Sequence, residues 1–205
     1  METSAVKGVV FDFGGVMTTC AAPVRVKAIV DRLGLPWSAV TDGFRRYRRD
    51  YDIGDITVAQ FYDRVWSDAG VEVGAVDRAA IEEADTASFL YRDGAAVEWI
   101  KSLASGGFRL GILTNMPHEL APRFKECFAD VIAAAAATVI SCEVRLVKPM
   151  REIYALTAAK LGLRPEEILF FDDSAANCRG AEESGWSAVL YTGLAGAKAA
   201  LERMV

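Results

Sequence analysis

Five short aliphatic runs, each closing on a small or polar residue, constrain this chain more than any other feature: "GVVF" before Asp12, "RLGIL" before Thr114, "TVIS" at 138–141, "ILFF" before Asp172 and "SAVLY" before Thr192. Runs this short and aliphatic suit strands buried on both faces, the pattern of a parallel sheet. The stretches between them read as helices. In "AAVEWIKSLASGG" Val97, Ile100 and Leu103 share a face and Gly106-Gly107 end the helix; in "REIYALTAAKLG" Ile153, Leu156 and Leu161 repeat the design before Gly162. Strands alternating with helices predict an α/β fold, a Rossmann-like doubly wound parallel sheet with helices on both faces.

Residues 17–90 break the alternation. "VRVKAIVDRLG", "WSAVTDGFRRYRRDY" and "TVAQFYDRVWSDAG" are helical patterns with little that reads as a strand. They predict a small α-helical domain inserted after the first strand, so that residues 1–16 and 91–205 form the core and 17–90 the insertion. Within it Thr57 is the expected N-cap of a helix that packs Val58, Phe61 and Val65 inward. Arg45, Arg46, Arg48 and Arg49 surround Tyr47. One of them could face a crevice and meet an anion, or all could be a solvated face paired with Asp42, Asp50 and Asp52.

Composition excludes several classes. A formal charge of −5 and a pI near 5 argue against a nucleic-acid surface, which needs clustered Lys and Arg. Cys20, Cys127, Cys142 and Cys178 show no C-x-x-C spacing and one histidine is available to join them, so buried reduced thiols are expected and a zinc site is not. "METSAVKG" lacks the charged and apolar regions of a secretory signal, which predicts a cytoplasmic protein. "VIAAAAATVI" is about half the length a bilayer-spanning helix needs, so no membrane association is expected. A monomer or homodimer is anticipated.

Open parallel sheets bind ligands beyond the carboxyl ends of their strands. Asp12, Thr114-Asn115 and Asp172-Asp173 all fall at that edge, and Lys148 joins them just before a helix that Pro149 can start. Taken singly, each has a plain reading: Asp173 or Ser174 could cap the following helix, Lys148 could be solvated, and Asp12 or Thr114-Asn115 could simply end a strand. Together, converging carboxylates repel unless a cation intervenes. Oxygen ligands with no nearby imidazole favour Mg2+. With a Thr hydroxyl and a Lys, such a site has the parts for phosphoryl transfer.

"VVFDFGG", "GILTN", "VKP" and "ILFFDDSAANCRGAEESGW" resemble, in order, the four motifs of the haloacid dehalogenase-like hydrolase superfamily, whose members are mostly phosphatases. The insertion at 17–90 lies where that family places a helical C1 cap. The resemblance implies a Mg2+-dependent phosphatase of a small phosphorylated metabolite, with Asp12 as the nucleophile that becomes an aspartyl phosphate. It implies that Thr114 binds phosphoryl oxygens, that Lys148 holds the nucleophile, and that Asn115 and the amides around Phe13 and Gly14 complete a phosphate cradle. Mg2+ would be held by Asp12, the carbonyl of Gly14 and Asp172, with Asp173 in support.

One position departs from the family pattern. Gly14 stands where these phosphatases usually carry a second Asp, the general acid-base, whose help is typically worth about 10²- to 10⁴-fold. Its loss leaves several expectations. Substrates with good leaving groups, such as anomeric sugar phosphates or acyl phosphates, would be favoured; or Asp173, Thr18, Thr19, His118 or a cap residue supplies the proton. Two other readings stay open: a 2-haloacid dehalogenase, whose family also lacks the second Asp, and a protein that binds a phosphorylated ligand or partner without useful turnover.

Overall fold

Each aliphatic run forms a strand: β1 Gly8–Phe11, β2 Arg109–Thr114, β3 Ala137–Ile140, β4 Ile168–Asp172 and β5 Ser187–Leu190. The structure, a computed structural model, describes residues 5–19 and 22–205. Among these the strands form one parallel sheet in the order β3-β2-β1-β4-β5. Helices α1 Ala22–Arg32, α2 Trp37–Asp52, α3 Val58–Ala69, α4 Ala75–Ser88 and α5 Gly94–Ser105 lie between β1 and β2. α6 Ala121–Cys127 and α7 Ala129–Ala134 lead to β3; α8 Ser141–Val144 and α9 Arg151–Leu161 lead to β4; α10 Ala175–Glu183 leads to β5, and α11 Leu194–Glu202 follows it.

Alternation along the strands divides the core. Val9 and Phe11 join Val97, Ile100, Phe124, Val131 and Leu201 on one face, while Val10 joins Leu113, Ile153, Leu161 and Phe170 on the other. Both faces of the central strands are therefore covered, and each such side chain taken from water contributes about 1.5–3 kcal/mol; β5, an edge strand, departs from the expectation, being only partly buried with Leu190 exposed. In α9 the buried face is Ile153, Tyr154, Thr157, Ala158 and Leu161; Leu156, expected on it, is only partly buried. Thr157 tolerates burial because its hydroxyl donates to the Ile153 carbonyl at 2.7 Å.

The alanine tract splits between two elements. α7 ends at Ala134 and β3 begins at Ala137, because the tract continues into β-branched Thr138, Val139 and Ile140, which pack well in a sheet. The expected burial of the cysteines holds for Cys142 and Cys178 but not for Cys127, which is exposed on α6; all three are free thiols. Cys20 lies outside the described residues. No helix among them is long and apolar enough to cross a membrane.

α1 to α4 surround a third cluster that includes Val30, Val40, Phe61, Tyr62, Val65, Trp66 and Ile81, with α2 packed on α3 and α1 on α4. Thr57 caps α3 in a reciprocal box: its hydroxyl accepts from Gln60 N at 3.3 Å and the Gln60 side chain accepts from Thr57 N at 2.9 Å. Phe61 and Val65 are buried and Val58 packs at the cluster's margin, so this helix face is core. The two segments that lead into and out of the four helices pair with each other, through Thr19 N to Tyr91 O at 2.8 Å and Asp93 N to Met17 O at 2.9 Å.

Candidate active site

The chain builds outward from β1 in one direction, through β2 to β3, then returns to place β4 and β5 on the other side. The crevice beyond the ends of β1 and β4 is therefore a topological switch point. Phe11 is in register with Ile112 on β2 and Phe171 on β4, and Asp12 N continues the ladder to Phe171 O at 2.9 Å. One step further, Asp12 and Asp172 fall in the same row. Side chains in one row of neighbouring strands sit about 5 Å apart, so the register itself forces these two acids together.

Lys148 lies between them. Its Nζ is 2.8 Å from Asp12 Oδ1 and 2.6 Å from Asp172 Oδ2, and it donates to the Leu113 carbonyl at 2.9 Å. It is 4% exposed, so the solvated reading of this residue does not hold. Pro149 does not start the helix that follows: α9 begins at Arg151 with Met150 as its N-cap. Lys148 is held by Asn115, whose Oδ1 accepts from Lys148 N at 2.8 Å and whose Nδ2 donates to Lys148 O at 3.0 Å. Asn115, expected among phosphate contacts, thus commits both ends of its amide to positioning the lysine. The amide of Phe13 is likewise engaged, donating to Asp12 Oδ1 at 2.7 Å.

Asp172 is fully buried and is satisfied by the start of α10. It accepts from Ser174 N at 2.8 Å and from Asn177 Nδ2 at 3.0 and 3.1 Å. The Ser174 side chain makes no capping bond, so the first turn of α10 is directed at Asp172 instead. Asp173 is exposed beside it. Oxygens of Asp12, Asp172 and Asp173 all lie within 4.8 Å of one another. With every group ionised, these three carboxylates against the Lys148 ammonium leave two negative charges, the charge of one divalent cation.

Burial pushes the Asp12 carboxyl up to about 7, against the pull of Lys148 and with the help of Asp172. Burial likewise raises Asp173, with Asp172 adding to it and Lys148 opposing. For Lys148 burial works the other way but is outweighed by Asp12 and Asp172, and the ammonium is held above the ordinary lysine range. Such mutual dependence among the buried Asp12, Asp172 and Lys148 is costly without a further counter-ion.

A cavity of about 160 Å³ opens on this cluster, lined by Asp12, Phe13, Gly14, Arg48, Phe89, Thr114, Asn115, Leu120 and Asp173. Thr114 is buried and its hydroxyl makes one long contact, 3.5 Å to Asn115 O, so it is available to a ligand. The two glycines differ. Gly15 has φ +70° and a Cβ there would overlap the Asp173 carboxylate, so this position needs glycine. Gly14 has no such φ, and a Cβ would sit 3.7 Å from the Phe89 ring, an ordinary contact. The missing second acid is a chemical change that sterics did not impose.

The groups considered as its replacement separate clearly. Asp173 lines the cavity. Thr18 is buried and accepts from Gly15 N at 3.2 Å, Thr19 contacts Tyr91 O, and His118 is exposed with its ring against Gly54; none of these three is in the cavity wall. Arg48 and Phe89 are the residues that local reading could not assign. Arg48 was one of four equivalent arginines, and Phe89 falls in a segment with no motif.

The haloacid dehalogenase-like hydrolase family profile matches residues 6–185. The chain belongs to this family. Among curated proteins it is similar to the phosphoglycolate phosphatase of Salmonella choleraesuis (strain SC-B67), with 29% identity over 116 residues; the match covers 57% of this chain and 45% of that protein, less than half its length. Among solved structures it is similar to a HAD family enzyme from Bacteroides thetaiotaomicron in complex with magnesium and inorganic phosphate, at 22% identity, TM-score 0.68, and 94% and 96% coverage of the two chains. It is also similar to a dehalogenase crystallised as an intermediate complex, at 17% identity, TM-score 0.65, and 90% and 84% coverage. At these identities the solved structures establish the α/β HAD fold. The acidic cluster, by contrast, belongs to this chain's own residues.

Proposed function

We propose that this family member is a Mg2+-dependent phosphatase of small phosphorylated metabolites, working through an aspartyl phosphate on Asp12. The observation that carries the reading is the charge pattern at the sheet edge: three converging carboxylates, one buried ammonium and, with every group ionised, a residual charge of −2. The donor set is all oxygen, which suits Mg2+. Asp12, Asp172 and the Gly14 carbonyl would hold the ion, with Asp173 in support. When bound, it would neutralise charge on the phosphoryl oxygens and keep Asp12 ionised. Residues 17–90 would act as a cap over the core formed by 1–16 and 91–205.

In this reading an Asp12 carboxylate oxygen attacks phosphorus and the bond to the leaving oxygen breaks. Lys148 holds Asp12 in line and offsets developing negative charge. The Thr114 hydroxyl donates to a phosphoryl oxygen, and the Gly14 amide completes the cradle, that of Phe13 being held by Asp12. Water then attacks the phosphoryl group, releasing phosphate and restoring Asp12. Because Gly14 carries no acid, leaving groups that need little protonation, such as anomeric sugar or acyl phosphates, should react best.

The test is a substrate screen across sugar, acyl, alkyl and carboxylic-acid phosphates with Mg2+ present and then chelated. Hydrolysis that needs Mg2+ and disappears in Asp12→Asn supports the proposal. Residual turnover unchanged by that substitution would favour ligand binding alone, and metal-independent release of halide from 2-haloacids would favour dehalogenation. The unbalanced acids argue against dehalogenation, since a metal-free reaction gains nothing from two uncompensated negative charges.

A further inference from the structure

The cap arginines separate in the structure. Arg45 pairs with Asp42 and Arg46 with Asp68, both at the surface. Arg48 instead lines the cavity that holds Asp12. It also lines a second cavity of about 470 Å³, together with Arg49, Asp52, Asn115, Val147, Lys148, Pro149 and Met150. Arg48 and Asn115 are common to both walls. The smaller space is below the usual range for a whole metabolite, while the larger falls within it. Arg48 therefore stands between the space at Asp12 and the larger one, beside whatever group a phosphate at Asp12 would carry.

Arg48 is built to stay where it is. Its Nε donates to Asp52 at 2.9 Å, and its guanidinium lies 5.8 Å from the Tyr51 ring centre and 5.5 Å from that of Phe89, the same ring that faces Gly14. The end of α2 is tied to the core at this point, because Ser141 Oγ donates to the Asp52 carbonyl at 2.5 Å. Burial works against the charge, but Asp52 and Asp85 outweigh it and hold the guanidinium above its ordinary value. Its two terminal nitrogens make no hydrogen bond to any described residue, and 31% of the side chain is accessible. A pre-oriented fork of free N–H donors matches a planar carboxylate.

We infer that Arg48 is a specificity-determining residue that selects phosphate esters bearing a carboxylate on the leaving group, with Arg49 adding positive charge to the same wall. This rests on the phosphatase reading of Asp12. A second phosphate would bring a further dianion beside Asp12, Asp52, Asp172 and Asp173, so the monoanionic carboxylate is the better fit. Fixing the guanidinium through Asp52, Tyr51 and Phe89 removes the ordering cost that a free arginine would bring to binding.

The experiment compares 2-phosphoglycolate, 2-hydroxyethyl phosphate and the bisphosphate of ethane-1,2-diol, which share a two-carbon frame. The native protein should prefer phosphoglycolate over the neutral-ended ester by about tenfold or more in kcat/KM, mostly through KM. Arg48→Gln should collapse that ratio by about 10- to 100-fold, the range of a charge-assisted hydrogen bond. Arg48→Lys should be intermediate, and Arg45→Gln should leave the ratio alone. Calorimetry on Asp12→Asn with Mg2+ gives the same comparison without turnover. Equal affinity for the three ligands, tighter binding of the bisphosphate, or an Arg48→Gln variant that weakens all three alike would overturn the assignment. If the native protein hydrolyses none of them, nor acyl or anomeric sugar phosphates, while the Arg48-dependent binding preference persists, the phosphatase reading fails and the subsite stands.

Discussion

Lys148 bridges two buried acids, and its removal strands both. Lys148→Ala should lower turnover by at least about 10³-fold and destabilise the metal-free fold by about 3–5 kcal/mol; a variant with near-native kcat would show that Lys148 is only structural. Asp12 gives a pH signature. Its carboxyl is raised from 3.8 to about 7, so the folded state holds this proton more tightly than the unfolded chain. Its contribution to metal-free stability is fully present below about pH 4 and is lost as pH rises through about 7. A cation competes with the same proton, so Mg2+ affinity should climb by up to tenfold per pH unit below about 7 and level off above it. Titration calorimetry between about pH 5.5 and 8 checks this, and a flat profile would contradict it. At position 14, where a side chain has room, Gly14→Asp should fold normally and raise kcat on alkyl phosphates by about tenfold or more, whereas Gly14→Ala should not.

At the level of elements, α10 is the piece that orients Asp172, where the proposed metal would sit. Its first turn supplies Ser174 N and Asn177 Nδ2 to Asp172, and it packs so closely on the lysine segment that a Cβ on Gly180 would meet Pro149 at 2.6 Å. Asn177→Ala should weaken Mg2+ binding by about 10- to 100-fold, as loss of a residue that orients a metal ligand does, with little change in the far-ultraviolet dichroism. Affinity within twofold of native would show that α10 does not orient Asp172. The motif around "DDSAANCRGAEESGW" was legible because its small residues and acids are contiguous. The expected capping roles of Asp173 and Ser174 were not realised, because the carboxylate that captures the helix start comes from the strand, at Asp172.

For the whole molecule, the proposed function implies that the unbalanced acids couple stability to cation binding. At a Mg2+ concentration about 100 times Kd, a single site adds about 2.7 kcal/mol, which for a chain of 205 residues corresponds to a rise in Tm of about 5–10 °C. Thermal melts with Mg2+ and after chelation measure it directly. An unchanged Tm across millimolar Mg2+ would remove the charge argument on which the proposed function rests. The three separate hydrophobic clusters explain why both the layered sheet and the helical insertion were readable: each buries a periodic stripe that is visible in a short window.

The strands, most of the helices and the polar residues at the strand ends follow from local patterns, since hydrophobic period and turn chemistry act over a few positions. Which residues meet depends instead on strand order and packing direction. Placing β4 against β1 puts Asp12 and Asp172 in one row and leaves a gap that Lys148 fills. Packing of α2 on α3 and of α4 on α1 turns Arg48, one of four similar arginines, toward the cavity and sets Phe89 over Gly14. The same packing distinguishes Gly15, confined by its backbone angle and by Asp173, from Gly14, which is open. These are contacts between segments far apart in the chain, and no window of sequence contains both partners.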